Sequence, residues 1–213
     1  MRQAKLLPPV SSWRRIPKNI YSDPRPPKPD HKALSCKGKT EQTCNENAAM
    51  NTECAPPHSE ACPNCELQTI AFAPTKIIHD IPHIGDGLIT KLDLHTNEYL
   101  GEYRGRMVTT EQRLQKQSEA RPGEMMYYMQ LQSGYDLDSN HEGTVMRLIN
   151  HSCNPNCYYG RWNVGNDVRI KVSAKGDIKA GSELTIDYYA NAEPPPELIV
   201  CKCGEINCTG SMG

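Results

Sequence analysis

Ten cysteines in 213 residues constrain this chain more than any other feature. They are clustered: Cys36, Cys44, Cys54, Cys62 and Cys65 first, then Cys153 and Cys157, then Cys201, Cys203 and Cys208. Cys201-Lys202-Cys203 leaves one residue between two thiols, which disfavours a disulfide between them and suits two corners of a zinc tetrahedron. In an exported chain such a count reads as a disulfide framework. The start, Met1-Arg2-Gln3-Ala4-Lys5-Leu6-Leu7-Pro8-Pro9, has too short an apolar run for a signal peptide. The expectation is therefore an intracellular chain whose cysteines hold zinc. A disulfide-stapled secreted protein is the alternative, and it predicts no metal.

Apolar residues make up 37% of the chain, lean for a globular protein but above the disordered range. No stretch approaches eighteen apolar residues, so no membrane span is expected. The net charge of −1 is unevenly spread. Residues 2–32 hold eight Lys/Arg against Asp23 and Asp30, a local +6, and seven of the seventeen prolines lie in the first thirty residues. Two readings fit: an arm that touches DNA phosphates, or a solvated Pro-rich leader.

From about residue 70 the texture becomes short strand-like segments broken by turns. Thr69–Phe72, Lys76–Ile78, Gly87–Ile89, Glu98–Tyr103, Glu124–Leu131, Asp167–Val172 and Glu183–Tyr189 all read as strands, with Val168, Ile170 and Val172 alternating. Met107–Ser118 has helical composition and a cap candidate in Thr109 or Thr110. Residues 33–67 show no clear period and read as a loop-rich metal knot. This is a mostly β pattern with α insertions, built from small curved sheets, and it contains no GxGxxG.

The most informative stretch is Arg147-Leu148-Ile149-Asn150-His151-Ser152-Cys153-Asn154-Pro155-Asn156-Cys157. It sets polar groups behind an apolar step, which is costly unless they are used. Gly181-Ser182-Glu183-Leu184-Thr185-Ile186-Asp187-Tyr188-Tyr189 follows, then the Cys201/Cys203/Cys208 cluster. An N-H-S-C-x-P-N element, an E-L-T-x-D-Y element and a C-x-C-x4-C tail in this order resemble the SET-domain protein lysine methyltransferases. Trp13-Arg14-Arg15-Ile16-Pro17-Lys18-Asn19-Ile20-Tyr21 is similar to the leader of the histone H3 lysine-36 class, its absent-small-homeotic-like members especially. The cysteines of residues 36–65 resemble that class's associated-with-SET (AWS) module.

The resemblance implies four parts: a basic arm (1–32), an AWS-like cysteine module (33–70), a SET domain (71–192, with a helical insertion about 107–124) and a post-SET zinc module (193–213). It also implies a pseudoknot near Asn150–Cys153. Tyr188 and Tyr127 match the catalytic tyrosines. Gly85, Asp86, Gly87, Met126, Tyr127, Arg147, Asn150, His151 and Lys202 match cofactor contacts, the cofactor being S-adenosylmethionine. Cys153, Cys201, Cys203 and Cys208 match one zinc site. The AWS-like module keeps Cys36, Cys44, Cys54, Cys62 and Cys65 where relatives have seven cysteines and two zincs. One zinc is expected there, with Cys54, Cys62 and Cys65 as its nucleus and Cys36 or Cys44 as the fourth ligand, unless His31 or His58 contributes to a second.

Several residues depart from the family pattern. Asp86 replaces the aromatic of the glycine turn, Arg106 a glutamate, Ala190 an aromatic, and Ile186 the phenylalanine or tyrosine that limits product state. The implied function is a nuclear, monomeric histone lysine methyltransferase with no membrane partner. It acts on the histone H3 tail of the nucleosome, lysine-36-type first and lysine-4-type second, giving di- or trimethyl product. A SET module that binds chromatin without turnover is the alternative.

Overall fold

Alternation along residues 167–174 gives the longest strand pair its buried face: Ile170, Val172 and Ala174 are fully buried. The computed structural model describes residues 14–15, 19–21, 41–55, 62, 64–69, 72–81, 84–121, 124, 126–190 and 199–212. In chain order they form β1 (Arg14–Arg15), α1 (Glu41–Ala49), α2 (Glu66–Thr69), β2 (Thr75–Ile81), β3 (Gly85–Thr90), β4 (Tyr99–Tyr103) and β5 (Arg106–Thr109). Then come α3 (Thr110–Glu119), β6 (Tyr128–Gln132), β7 (Tyr135–Asp138), β8 (Glu142–Gly143), a 3₁₀ turn (Val145–Leu148) and β9 (Asn150–His151). The last are β10 (Cys157–Val164), β11 (Asp167–Ala174), β12 (Thr185–Ile186), β13 (Ile199–Val200) and β14 (Ser211–Met212). Among the described residues no helix is long and apolar enough to cross a membrane.

The sheets are small, as the sequence pattern implies. Antiparallel β10 and β11 pair from Cys157↔Ala174 to Val164↔Asp167, and β4 joins the other edge of β11. The turn between them needs positive φ at its first position, and Gly165 supplies 62°. A second sheet runs β5-β7-β6, a third pairs β2 with β3, and β12 lies parallel to β9. One core joins them: Leu88, Leu100, Met107, Leu131, Leu137, Met146, Ile149, Ile170 and Leu184 come from different elements and are all fully buried. Within it Glu102 is buried as a charge, held by Arg104 Nε at 2.6 Å and by Arg169, whose Nε lies 2.8 Å from Oε1. A carboxylate without those partners would be strongly destabilising there.

Three expectations are corrected. Of the strand expected at Thr69–Phe72, Thr69 instead ends α2 and Phe72 meets Tyr99 in a T-shaped contact with ring centroids 6.5 Å apart, while residues 70 and 71 lie outside the described residues. The Glu53 carboxylate accepts Leu67 N–H and the Gln68 amide, and this cap favours a helical turn. The helix expected from Met107 starts only at Thr110, because Met107 and Val108 pair with Leu137 and Asp136. Thr109 is its N-cap, exchanging bonds with Gln112 in a capping box. The cysteine-rich segment carries a helix, α1, that presents Cys44.

Both N-terminal pieces are fastened to the body. Gly105 O accepts Ile20 N–H (3.1 Å), and Ile20 O accepts Met107 N–H (2.7 Å). Arg14 and Arg106 grip the two oxygens of Glu142 at 2.6 and 2.9 Å, which accounts for arginine at position 106. The cysteine module docks on β10 through Asn163, whose N–H donates to Asn51 O and whose carbonyl accepts Glu53 N–H.

Asp138 yields a pH prediction. Burial alone would raise its pKa, but Lys116 Nζ at 2.8 Å and two donors of Asn140 hold it below the ordinary carboxylate range. A depressed carboxyl contributes stability above its unfolded pKa of about 3.9 and loses it as pH falls through the lower folded value. Urea titrations should show stability falling below about pH 4. Asp138→Asn should lower neutral-pH stability and flatten that acid limb; an unchanged limb would assign the acid loss elsewhere.

Candidate active site and cysteine clusters

Parallel pairing of β9 and β12 sets Asn150↔Thr185 and His151↔Ile186 side by side, bringing the two motifs of residues 147–157 and 181–189 together. Ser152 N–H continues the ladder to Ile186 O at 3.0 Å. This is the place where a pseudoknot is expected. The Asn150 amide then spends both protons: one on Asp86 O at 3.1 Å, the other on Glu183 Oε1 at 2.8 Å. Gly87 stands against the same pair. A Cβ there would sit 2.4 Å from Ile81 Cδ1, 2.9 Å from Glu183 Oε1 and 3.0 Å from Asn150 Nδ2. Gly85 adopts φ 105°, which favours glycine. Gly85-Asp86-Gly87 is thus part of the motif cluster. Glu183 has no role in the sequence reading; its only signal is its place in the E-L-T-x-D-Y element.

Tyr188 sits on the other side of this junction. Its hydroxyl donates to Ile149 O at 3.0 Å, its N–H donates to His151 Nδ1 at 3.2 Å, and the two rings meet edge-on with centroids 5.4 Å apart. Tyr127 lies under the Arg147 guanidinium at 4.2 Å, and its N–H donates to Asn140 Oδ1 at 2.9 Å. Arg147 is buried and donates to the carbonyls of Ser139 and Asn140. Tyr103, Met126, Tyr127, Arg147, Ile186 and Tyr188 all line one cleft of about 1010 Å³, with Ala190 at its edge.

Burial first, then neighbouring tyrosines and acids, pushes the Tyr188 hydroxyl far above its ordinary pKa. Burial also raises the hydroxyl pKa of Tyr103 and Tyr127. All three are neutral at physiological pH, able to donate or accept without carrying charge. Burial lowers the His151 pKa, with Asp187 opposing, so its ring is neutral as well.

Gly85, Asp86, Gly87, Asn150 and His151 do not line that cleft; His151 joins it through the Tyr188 N–H, and Asn150 ties Asp86 to Glu183 beside it. Lys202 is exposed between two cysteines and lines no part of it.

The tail cysteines converge. The Sγ atoms of Cys153, Cys201, Cys203 and Cys208 all lie within 4.8 Å of one another, with Cys153 3.7 Å from Cys201 and 3.9 Å from Cys208. A zinc tetrahedron with bonds of about 2.3 Å puts its sulphurs about 3.8 Å apart, whereas a disulfide needs about 2.05 Å. Four thiols at this spacing fit zinc. Cys157 is a buried thiol, pushed up to about 12 by burial, that donates to Asn156 Oδ1.

The other module groups Cys44, Cys54 and Cys62, with Cys44 and Cys62 3.9 Å apart. Cys44, one of the two candidates for the fourth ligand, lies with Cys54 and Cys62, and the Cys65 thiol donates to the Cys62 carbonyl at 3.5 Å. Cys36, His31, His58, most of the basic arm and residues 191–198 lie outside the described residues.

Residues 85–189 match the SET domain family model. The chain belongs to the SET-domain family, and its mostly β fold of small sheets is the SET fold. Within that family it is similar to the histone-lysine N-methyltransferase ash1 of Drosophila melanogaster, 33% identical over 216 residues, covering 96% of this chain and 10% of that protein. It is also similar to an H3 lysine-36-specific histone-lysine N-methyltransferase of Coccidioides immitis, 36% identical over 159 residues, covering 72% of this chain and 15% of that one. Among solved structures, the Chaetomium thermophilum polycomb repressive complex 2 matches with a TM-score of 0.63 and 25% identity, over 73% of this chain and 23% of that one. The chain spans between 10% and 15% of the length of those two methyltransferases.

Gly87→Ala should force Ile81 and the Asn150–Glu183 pair apart, lowering stability by about 1–3 kcal/mol in urea unfolding. An alanine variant as stable as the parent would mean that the close approach at Gly87 is not enforced.

Proposed function

We propose that this chain is an S-adenosylmethionine-dependent histone lysine N-methyltransferase acting in the nucleus on histone H3 in nucleosomes, with lysine 36 the first target class and lysine 4 the second. The observation that carries the reading is the cleft in which two motif tyrosines, Tyr127 and Tyr188, face the same space with neutral hydroxyls. When bound, the cofactor supplies an electrophilic methyl on a sulfonium.

A free lysine has a pKa of about 10.4 and must lose its proton to attack. The tyrosine-lined cleft desolvates the ammonium, lowering its pKa, and its hydroxyls orient the amine without charging it. Rate then depends on alignment more than on proton transfer. Tyr188 is the hydroxyl nearest the transferring methyl and Tyr127 the second catalytic tyrosine. Asn150, His151 and the Gly85-Asp86-Gly87 turn hold the cofactor, with Met126, Arg147 and Lys202 as further contacts. In this reading Cys153, Cys201, Cys203 and Cys208 hold one zinc. Cys44, Cys54 and Cys62 hold a second, completed by Cys36 or Cys65. The basic arm, residues 2–32, contacts DNA beside the histone.

The rival, a chromatin-binding SET module without turnover, draws on the departures at Asp86, Arg106 and Ala190. The Arg106 pairing with Glu142 weakens it, because that substitution has a partner of its own.

Labelled S-adenosylmethionine and recombinant nucleosomes test the reading. Label should appear on histone H3, and Tyr188→Phe should lower the rate about a hundredfold. Cofactor binding without label would favour the scaffold. Ile186 is a buried cleft residue without a hydroxyl to hold a water beside the amine. Mass spectrometry should therefore find di- or trimethyl product, and strictly monomethyl product would overturn that assignment. Metal analysis should find zinc at both clusters, with Cys203→Ser losing the tail zinc alone; a metal-free, thiol-depleted chain would return the disulfide reading.

A further inference from the structure

His151 stands between the tail cysteines and Tyr188. Its side chain is buried, Nδ1 accepts Tyr188 N–H at 3.2 Å, and Nε2 lies 3.6 Å from Cys153 Sγ. A neutral imidazole carries one N–H and one lone pair. A backbone N–H only donates, so Nδ1 is the lone-pair nitrogen and the ring proton sits on Nε2, facing the sulphur. Besides the Cys201 and Cys208 thiols, Thr209 Oγ1 lies 3.6 Å from that sulphur, but it gives its single proton to Ser211 O at 2.8 Å. The charged group beside the ring is Asp187, 3.8 Å from Nδ1; the same oxygen accepts Tyr189 N–H at 3.0 Å.

We propose that His151 is a positioning residue that couples the tail cysteine cluster to Tyr188: through Nε2–H it donates to the Cys153 thiolate, and through Nδ1 it holds the Tyr188 backbone. This rests on the zinc and methyltransferase readings above. A thiol is a weak acceptor, whereas a metal-bound thiolate carries charge and accepts strongly. Filling the cluster therefore locks the ring in one tautomer and one orientation. The locked ring fixes the Tyr188 N–H, and with it the hydroxyl that reaches Ile149 O. Ser152 N–H on Ile186 O fastens the same two strands through the backbone. The cluster that braces the tail thus also sets the placement of a tyrosine in the cleft.

The test replaces the tail zinc of the full chain by ¹¹³Cd and reads the His151 ring by ¹⁵N NMR. The expected spectrum shows a protonated Nε2, an unprotonated Nδ1 and a ¹¹³Cd correlation to the Nε2 proton through the Cys153 sulphur. A tetrathiolate cadmium signal with the proton on Nδ1, or with no correlation, would overturn the coupling and leave the zinc reading intact. No cadmium at the cluster would overturn both. His151→Asn provides a second readout: its shorter side chain keeps an acceptor for Tyr188 N–H and loses the bond to Cys153. With tail metal retained, kcat on nucleosomes should fall about fivefold while KM holds; an unchanged kcat would also overturn the proposal, and labelled transfer by the parent chain tests the methyltransferase reading separately.

Discussion

The Asn150 side chain has two protons to give, and the geometry around the cleft follows from where they go. One reaches the carbonyl of Asp86 in β3 and the other the carboxylate of Glu183, so a single amide ties β3, β9 and the approach to β12 together. An amide in that position left unpaired would cost about 1–3 kcal/mol, and any rearrangement of one strand would unpair it. Gly87 is glycine because the same amide and carboxylate occupy the space a side chain would need. The parallel β9–β12 pairing is only two residues long, too short to hold on ladder bonds alone. Side-chain bonds from Asn150, His151 and Asn156 supply the rest, the Asn156 amide donating to Glu183 O at 2.8 Å.

Much of this was readable in the chain itself, for a physical reason. Strand alternation at Val168, Ile170 and Val172 and a cap at Thr109 or Thr110 are local signals; the strand is found, and of the two threonines Thr109 is the cap. The N-H-S-C and E-L-T-x-D-Y elements were legible because unusual polar runs are costly unless used. What stayed hidden was set by contacts distant in sequence. Thr69 turns into a helix because Glu53, fourteen and fifteen residues before its partners Leu67 and Gln68, caps it. Met107 and Val108 look helical but are claimed by β7 about thirty residues later. That Cys44 lies with Cys54 and Cys62 while the Cys65 thiol donates to the Cys62 carbonyl depends on side-chain direction, which spacing does not encode.

The N-terminal pieces show how the body uses charge and backbone to recruit flanking chain. The leader is held by Glu142 between two arginines, and the cysteine module by both backbone groups of Asn163. Surface ion pairs contribute little singly, about 0–1 kcal/mol each. The exposed Arg14 contact therefore sets register more than stability, whereas the buried Glu102 cluster beneath is structural in the stronger sense.

Cys153 meets Cys201 and Cys208 across 48 and 55 residues, and its neighbour Asn150 meets Asp86 across 64. Closing loops of that size is entropically slow, so the cleft belongs to the late events of folding. During synthesis the consequence is sharper. A nascent chain that has emerged through residue 200 already carries both tyrosines, the glycine turn and Asn150, yet Cys153 has none of its tail partners. Synthesis thus imposes an order in which residues 201–208 complete a centre whose other parts were made before them.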